Sequence, residues 1–480
     1  MRGPGLELRW VASEPTYRPM SSADDEANRL SGRLARYARV GSGVGRFAAR
    51  TLGSRALGRD FGRSAQALEL ARLLGGLKGP IMKVAQLAAT VPDVLPPEYA
   101  FELQKLQAEA PPMGWAFVRR RMRAELGADW TGRFKAFEHE PAAAASLGQV
   151  HRATAPDGTR LACKLQYPDM QSAVEADLSQ LGVILSVQRR FSPEIDTREI
   201  LKELGERLRE ELDYAREAAH MRLYGAMLAG ADDVRVPRFL PELSTKRLLT
   251  MTWLNGERLL SFVDRSLEER NRIATALFRA WWRPFAHHGV IHGDPHLGNY
   301  TVFEEGGAPA GVNLLDYGCI RIFPPRFVEG VIGLYRGFQQ NDRAAITEAF
   351  RTWGFRDLND ERIDTLSLWA RFIYAPLLDD RVRTVAEGVA PHVYGRREVW
   401  EVKQRLKPKS PVTIPREFVL MNRAAVGLGA VFLHLKAELN FHRLFEAEIE
   451  GFAREALAAR QAAALRDAGL AAAEPAARPA

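Results

Sequence analysis

Apolar and polar positions alternate with two different periods along this chain, and the changes of period divide it. From Ser64 to Leu87 apolar residues recur at helical spacing, interrupted at Gly75-Gly76 and Gly79-Pro80, which predicts two helices. Glu98 to Ala108 and Gly114 to Leu126 resume that spacing after turns at Pro92-Asp93 and Pro96-Pro97. From Phe134 the period shortens to that of strands: Phe134 to Phe137, Gln149 to Ala155 and Arg160 to Gln166, the last two joined by a Pro156-Asp157-Gly158 hairpin turn. Helical spacing returns over Val174 to Arg190 and Thr197 to Leu223. A strand from Arg247 to Trp253 ends at Asn255-Gly256-Glu257, a segment suited to join two lobes. Helices are then predicted over Ser266 to His287, Phe327 to Gly354, Asp360 to Ala375 and Arg416 to Arg454. The pattern predicts an α+β chain. It has an arm over 1–63, a helical extension over 64–133, a sheet-bearing lobe over 134–255, a mostly helical lobe over 256–454 and a disordered Ala/Arg/Pro-rich tail over 455–480.

Composition fits a globular protein of 480 residues. The longest candidate span, Ala424 to Leu433, falls short of the roughly 18 apolar residues that cross a bilayer. The start of the chain lacks a signal-peptide core, so a cytoplasmic location is expected. Cys163 and Cys319 are the only cysteines, which supports neither a disulfide framework nor a zinc site. The net charge of +8 is concentrated: Arg29 to Arg63 carries nine arginines against one acid, Asp60. Leu30, Leu34, Tyr37, Val40, Phe47, Leu57 and Phe61 interleave with them, as in a helix lying on anionic lipid at the inner face of a membrane. Gly41, Gly43, Gly45, Gly53 and Gly58 suit a flexible basic linker equally. No nucleic-acid module accompanies the charge, and no nucleic-acid partner is expected.

Chemistry enters at His292-Gly293-Asp294-Pro295-His296-Leu297-Gly298-Asn299, followed after an apolar strand by Leu314-Leu315-Asp316-Tyr317-Gly318. In kinase-like sites an Asp faces the attacking group, an Asn five residues later helps hold magnesium, and a second Asp after the next strand holds magnesium on the phosphates. Asp294, Asn299 and Asp316 fill those places. Leu161-Ala162-Cys163-Lys164 matches the strand whose lysine grips nucleotide phosphates. Such a lysine needs an acidic partner, and Glu211, Asp213 and Glu217 are the candidates. Spacing alone fits all three better as surface acids of the charged run Glu203 to Glu217.

Pro141 to His151, with Ala142, Ala143, Ala144, Ala145 and Ser146 at its centre, resembles the UbiB/AarF family when taken with three other features. These are Lys83-Val84-Ala85-Gln86, Cys163-Lys164-Leu165-Gln166-Tyr167-Pro168, and the Asp294 and Asp316 motifs. The family comprises atypical protein-kinase-like ATPases linked to ubiquinone (coenzyme Q) biosynthesis. The His-Gly-Asp motif alone would also suit small-molecule phosphotransferases of the aminoglycoside or choline kinase type. The resemblance implies a two-lobed protein-kinase-like fold binding ATP (or ADP) with Mg2+, acting on or beside quinone-pathway lipids or proteins at a membrane surface. It implies that Glu217 pairs with Lys164 and that Ala142 to Ser146 replaces a Gly-rich phosphate loop. Glu211 and Asp213 would form an E-x-D motif near a Lys83-to-Gln86 helix covering the place of a protein substrate. The family pattern has glycine where this chain has Ala85, phenylalanine at Tyr317 and often an acid at Thr252. ATPase action on quinone intermediates is the expectation. A true protein or small-molecule kinase and a nucleotide-binding pseudokinase scaffold are the alternatives.

Overall fold

The computed structural model describes residues 113–388 and 416–470, apart from 146, 169, 176–177, 180–181, 183–204, 207 and 357. The basic arm, Lys83 and Gln86, Ser146 and the last ten residues therefore lie outside the described residues.

Helix α1 (Trp115–Leu126) leads into strands β1 (Ala136–Phe137), β2 (Ala143–Ala145), β3 (Gly148–Thr154) and β4 (Arg160–Gln166). Helix α2 (Tyr214–Met227) and strands β5 (Val234–Arg235) and β6 (Leu248–Thr252) follow. β1, β3, β4 and β6 are neighbours in that order, with β2 on β3, all antiparallel. Alternation in β4 sends Leu161, Cys163 and Leu165 to one face, where they pack with Val118, Met122 and Leu126 of α1. The expected 156–158 turn closes with Gly158 at φ 89° and Asp157 accepting from the Thr159 N–H at 2.8 Å.

The second lobe contains β7 (Glu257–Arg258), α3 (Leu267–His288), β8 (Val290–His292), β9 (Tyr300–Glu305), β10 (Ala308–Leu314) and β11 (Ile320–Ile322). Helices α4 (Pro325–Gln340), α5 (Arg343–Thr352), α6 (Asp360–Tyr374), α7 (Arg416–Leu435), α8 (Phe441–Ile449) and α9 (Arg454–Asp467) complete it. Its larger sheet has the order β5-β10-β9-β7, and β8 pairs with β11. α3 begins with a Ser266/Glu269 capping box, ends at left-handed Gly289, and buries Phe278, Trp281 and Phe285 in the main core. Among the described residues no helix is long and apolar enough to cross a membrane.

Several expectations are corrected. The helix expected over 197–223 is broken at Leu212 and Asp213, because Asp213 turns out of the helix to cap α2, accepting from the Arg216 N–H at 3.0 Å. The helix expected over 327–354 is split at left-handed Asn341 (φ 53°), after which Asp342 caps α5. The one expected over 416–454 breaks after Lys436 (φ 49°) and restarts at the Asn440 cap. The alanine run is no open loop: Ala143 to Ala145 pair with Val150 to Gly148, so strand pairing overrides alanine's helical preference. The tail expected to be disordered from 455 begins with a helix instead. α9 buries Leu457, Gln461 and Leu465, and Gln461 donates to the carbonyls of His288 (2.7 Å) and Phe323 (2.8 Å).

The Asn255-Gly256-Glu257 segment does join the two sheets. Trp253 donates its N–H to Arg160 in the first lobe (2.8 Å), while the Asn255 carbonyl accepts from Asn313 Nδ2 of β10 (2.9 Å). A Cβ on Gly256 would lie 2.6 Å from Asn313 Nδ2, 2.7 Å from Thr301 Oγ1 and 2.8 Å from the Val302 carbonyl oxygen. Gly256→Ala is therefore expected to destabilise the protein by about 1–3 kcal/mol, as forced overpacking does, read as a lowered denaturant midpoint at unchanged slope.

Candidate active site

The site is built on the inner face of the first sheet. Val150 lies opposite Lys164 and Arg152 opposite Ala162, while on the other side Ala162 faces Met251 and Lys164 faces Leu249. Period-2 alternation therefore sets Val150, Ala162 and Met251 on the same face as Lys164. These apolar neighbours suit a flat ring system beside a phosphate-binding lysine. The Ala142 N–H donates to the Val150 carbonyl at 2.7 Å, which ties the alanine-rich strand edge to edge with β3, next to the position opposite Lys164.

α2 supplies the acidic partner. The helix starts at the Asp213 cap, and one turn later Glu217 is 2% exposed, with Oε1 2.6 Å from Lys164 Nζ. Lys164 also lies 3.7 Å from Asp316 Oδ2, and its ammonium sits 5.4 Å from the Tyr214 ring centroid. Burial opposes the charge on Lys164, but Glu217 and Asp316 more than offset it and hold its pKa above the ordinary value. Burial pushes the Glu217 carboxyl up, with the Lys164 ammonium pulling it back. Glu217 is thus no surface acid. Asp213 is a helix cap, and Glu211 ends the helical turn before it.

Across the cleft, His292 joins two loops. The Asp294 N–H donates to His292 Nδ1 (3.3 Å), which leaves the ring hydrogen on Nε2 to donate to the Asp316 carbonyl (2.9 Å). Trp281 Nε1 donates to the His292 carbonyl (3.1 Å) and the Gly293 N–H to that of Cys319 (2.6 Å). Asn299 Nδ2 donates to the Asp294 carbonyl (2.9 Å), so the donor end of its amide is engaged and its carbonyl oxygen is the end with metal-ligand chemistry. Asp316 Oδ1 accepts from the Gly318 N–H at 2.8 Å while Oδ2 faces Lys164. Among the described residues no group of three or more His, Cys, Asp or Glu forms a metal site. One amide and one carboxylate suit magnesium, which keeps waters and takes phosphate oxygens rather than a full protein cage.

The structure thus brings Lys164, Glu217, Asp294, Asn299 and Asp316 together. Tyr317 of the second motif, with His220 and Glu210, which were not singled out from the pattern, holds them there. Tyr317 is fully buried, donates to the Leu314 carbonyl (3.0 Å), and its own carbonyl accepts from His220 Nδ1 (3.0 Å), one turn beyond Glu217. Glu210 takes Arg216 Nη1 and Arg321 Nη1, each at 2.9 Å, bridging the start of α2 to β11. The His292 position was visible as part of a motif; His220 and Glu210 had only helical spacing from Glu217 to mark them.

Burial holds His220 neutral, its pKa lowered to about 4, and does the same to His288. Unfolded imidazoles titrate near 6.5, so the unfolded chain binds more protons between that value and about 4. Stability is expected to be full above pH ~6.5 and to fall as pH drops toward ~4. Denaturant midpoints across that window check it, and His220→Gln should flatten the decline.

Comparison with known proteins gives concordant results. The family model described as the ABC1 atypical kinase-like domain matches residues 105–350. The chain is 27% identical over 355 residues to AarF domain-containing protein kinase 1 of Xenopus laevis, covering 72% of this chain and 66% of that protein. It is 30% identical over 253 residues to the mitochondrial atypical kinase COQ8 of Saccharomyces cerevisiae, covering 52% of this chain and 50% of that one. It therefore spans less than two thirds of either relative. Among solved structures it is similar to Rv3197 of Mycobacterium tuberculosis, determined in complex with erythromycin. That match has a TM-score of 0.57 and 26% identity, covering 84% of this chain and 98% of that one.

Proposed function

The chain belongs to the ABC1 atypical kinase-like family, and from that premise we propose that its cleft binds ATP with magnesium and hydrolyses it or transfers its terminal phosphoryl group. The observation that carries this reading is Lys164 held between Glu217 and Asp316, with Asn299 and Asp294 bonded together in the facing loop. Lys164 draws phosphate oxygens, and Glu217 fixes its ammonium. Asp316 and Asn299 offer the oxygens that would hold the metal, and bound magnesium supplies neutralisation of developing phosphate charge. Asp294 orients the nucleophile or takes its proton, whether that is water or a substrate hydroxyl. Val150, Ala162 and Met251 give the base an apolar face.

We favour ATPase action in support of isoprenoid quinone biosynthesis or lipid handling at a membrane surface. The arginine-rich segment 29–63 supports the membrane part, and the likeness to COQ8 supports the pathway. A protein or small-molecule kinase is the second reading, favoured by the kinase names of the relatives. Phosphate release from Mg-ATP, with and without chelator and anionic liposomes, separates them. Release that needs magnesium and rises with liposomes supports the ATPase. ATP binding without release turns the reading to the kinase or a scaffold.

A further inference from the structure

His296 lies two residues beyond Asp294 and has no role in the reading above. Its Nδ1 accepts the Gly298 N–H at 3.0 Å, which in the neutral ring puts the hydrogen on Nε2. That Nε2 lies 3.8 Å from Asp294 Oδ2. Gly298 is shaped to the ring: a Cβ there would meet His296 Cε1 at 3.0 Å and Nδ1 at 3.2 Å. The Asp294 backbone is meanwhile held at both ends, its N–H by His292 and its carbonyl by the His296 N–H (2.9 Å) and Asn299 Nδ2 (2.9 Å). Backbone and ring are thus set, and a small side-chain rotation closes 3.8 Å to a hydrogen bond. Catalytic hydrogen bonds are often long before substrate binds.

We propose that His296 is a positioning residue: its Nε2–H donates to the Asp294 carboxylate and aims it at the nucleophile. This rests on the phosphoryl-transfer reading of the cleft. Two substitutions part it from a merely structural role. Asparagine at 296 can still accept the Gly298 N–H through its short side chain but withdraws the distal donor, whereas glutamine places an N–H at about the reach of Nε2.

The experiment is steady-state phosphate release from Mg-ATP by the full chain. His296→Asn is expected to lower kcat by about 10- to 100-fold, the scale of a misaimed catalytic group, with KM for Mg-ATP within about twofold. His296→Gln should recover part of the loss. In an Asp294→Ala background, which removes the acceptor oxygens altogether, His296→Asn should cost nothing further. Wild-type-like turnover of His296→Asn, or an undiminished effect in the Asp294→Ala background, overturns the proposal and leaves the function standing. A folded wild type that neither binds Mg-ATP nor releases phosphate from it overturns both.

Discussion

Asp316→Asn is expected to lower phosphate release by about 10²- to 10³-fold, the scale seen when one preorganised group on a transferring phosphoryl is removed. The change is nearly isosteric. An amide oxygen can still accept the Gly318 N–H, and Lys164 keeps its 2.6 Å pairing with Glu217. What is lost is the negative charge of an anionic oxygen ligand for magnesium, at a side chain that is 41% exposed to the cleft. The thermal midpoint should therefore move little while turnover collapses. Both are measured on the same sample, and a large fall in stability would assign Asp316 a structural role instead.

Lys164→Met is expected to cost about 3–5 kcal/mol of stability, because it strands the Glu217 carboxylate in a site where it is 2% exposed. Burial already pushes that carboxyl up, and without the ammonium it rises further. A carboxyl whose folded pKa is raised stabilises the folded state at pH below its unfolded value. That contribution is lost as pH climbs through the folded value. The variant should thus be closest to wild type near pH ~4 and fall behind as pH rises. Adding Glu217→Gln removes the stranded charge and should restore most of the stability without restoring phosphate binding. Urea unfolding of the single and double variants checks this. A double variant no more stable than Lys164→Met would show that the pair is not the source of the loss.

Strand β4, its hairpin and the two motif loops were legible because alternation, turn chemistry and motif spacing all act locally. Helix boundaries at Asn341 and Lys436 were not, since a single left-handed residue inside a continuing apolar pattern leaves no periodic trace. The alanine run misled because strand pairing with β3, a tertiary effect, outweighs propensity. The stretch after 454 misled because its composition is that of a tail. Two buried leucines and Gln461 packed against α3 decide it. Within the site, Asp294, Asn299 and Asp316 could be read from spacing. Glu217 could be chosen among its neighbouring acids only by resemblance, because the break at Asp213 that turns it inward comes from a side-chain cap.

The central claim is that this cleft is a magnesium-nucleotide site, and equilibrium titration with ATP tests it most directly. Wild type should bind ATP with magnesium present and lose at least about tenfold in affinity with the metal chelated. Lys164→Met/Glu217→Gln should bind more weakly in both conditions. ATP binding indifferent to both magnesium and Lys164, or no binding at all by folded wild type, would contradict it.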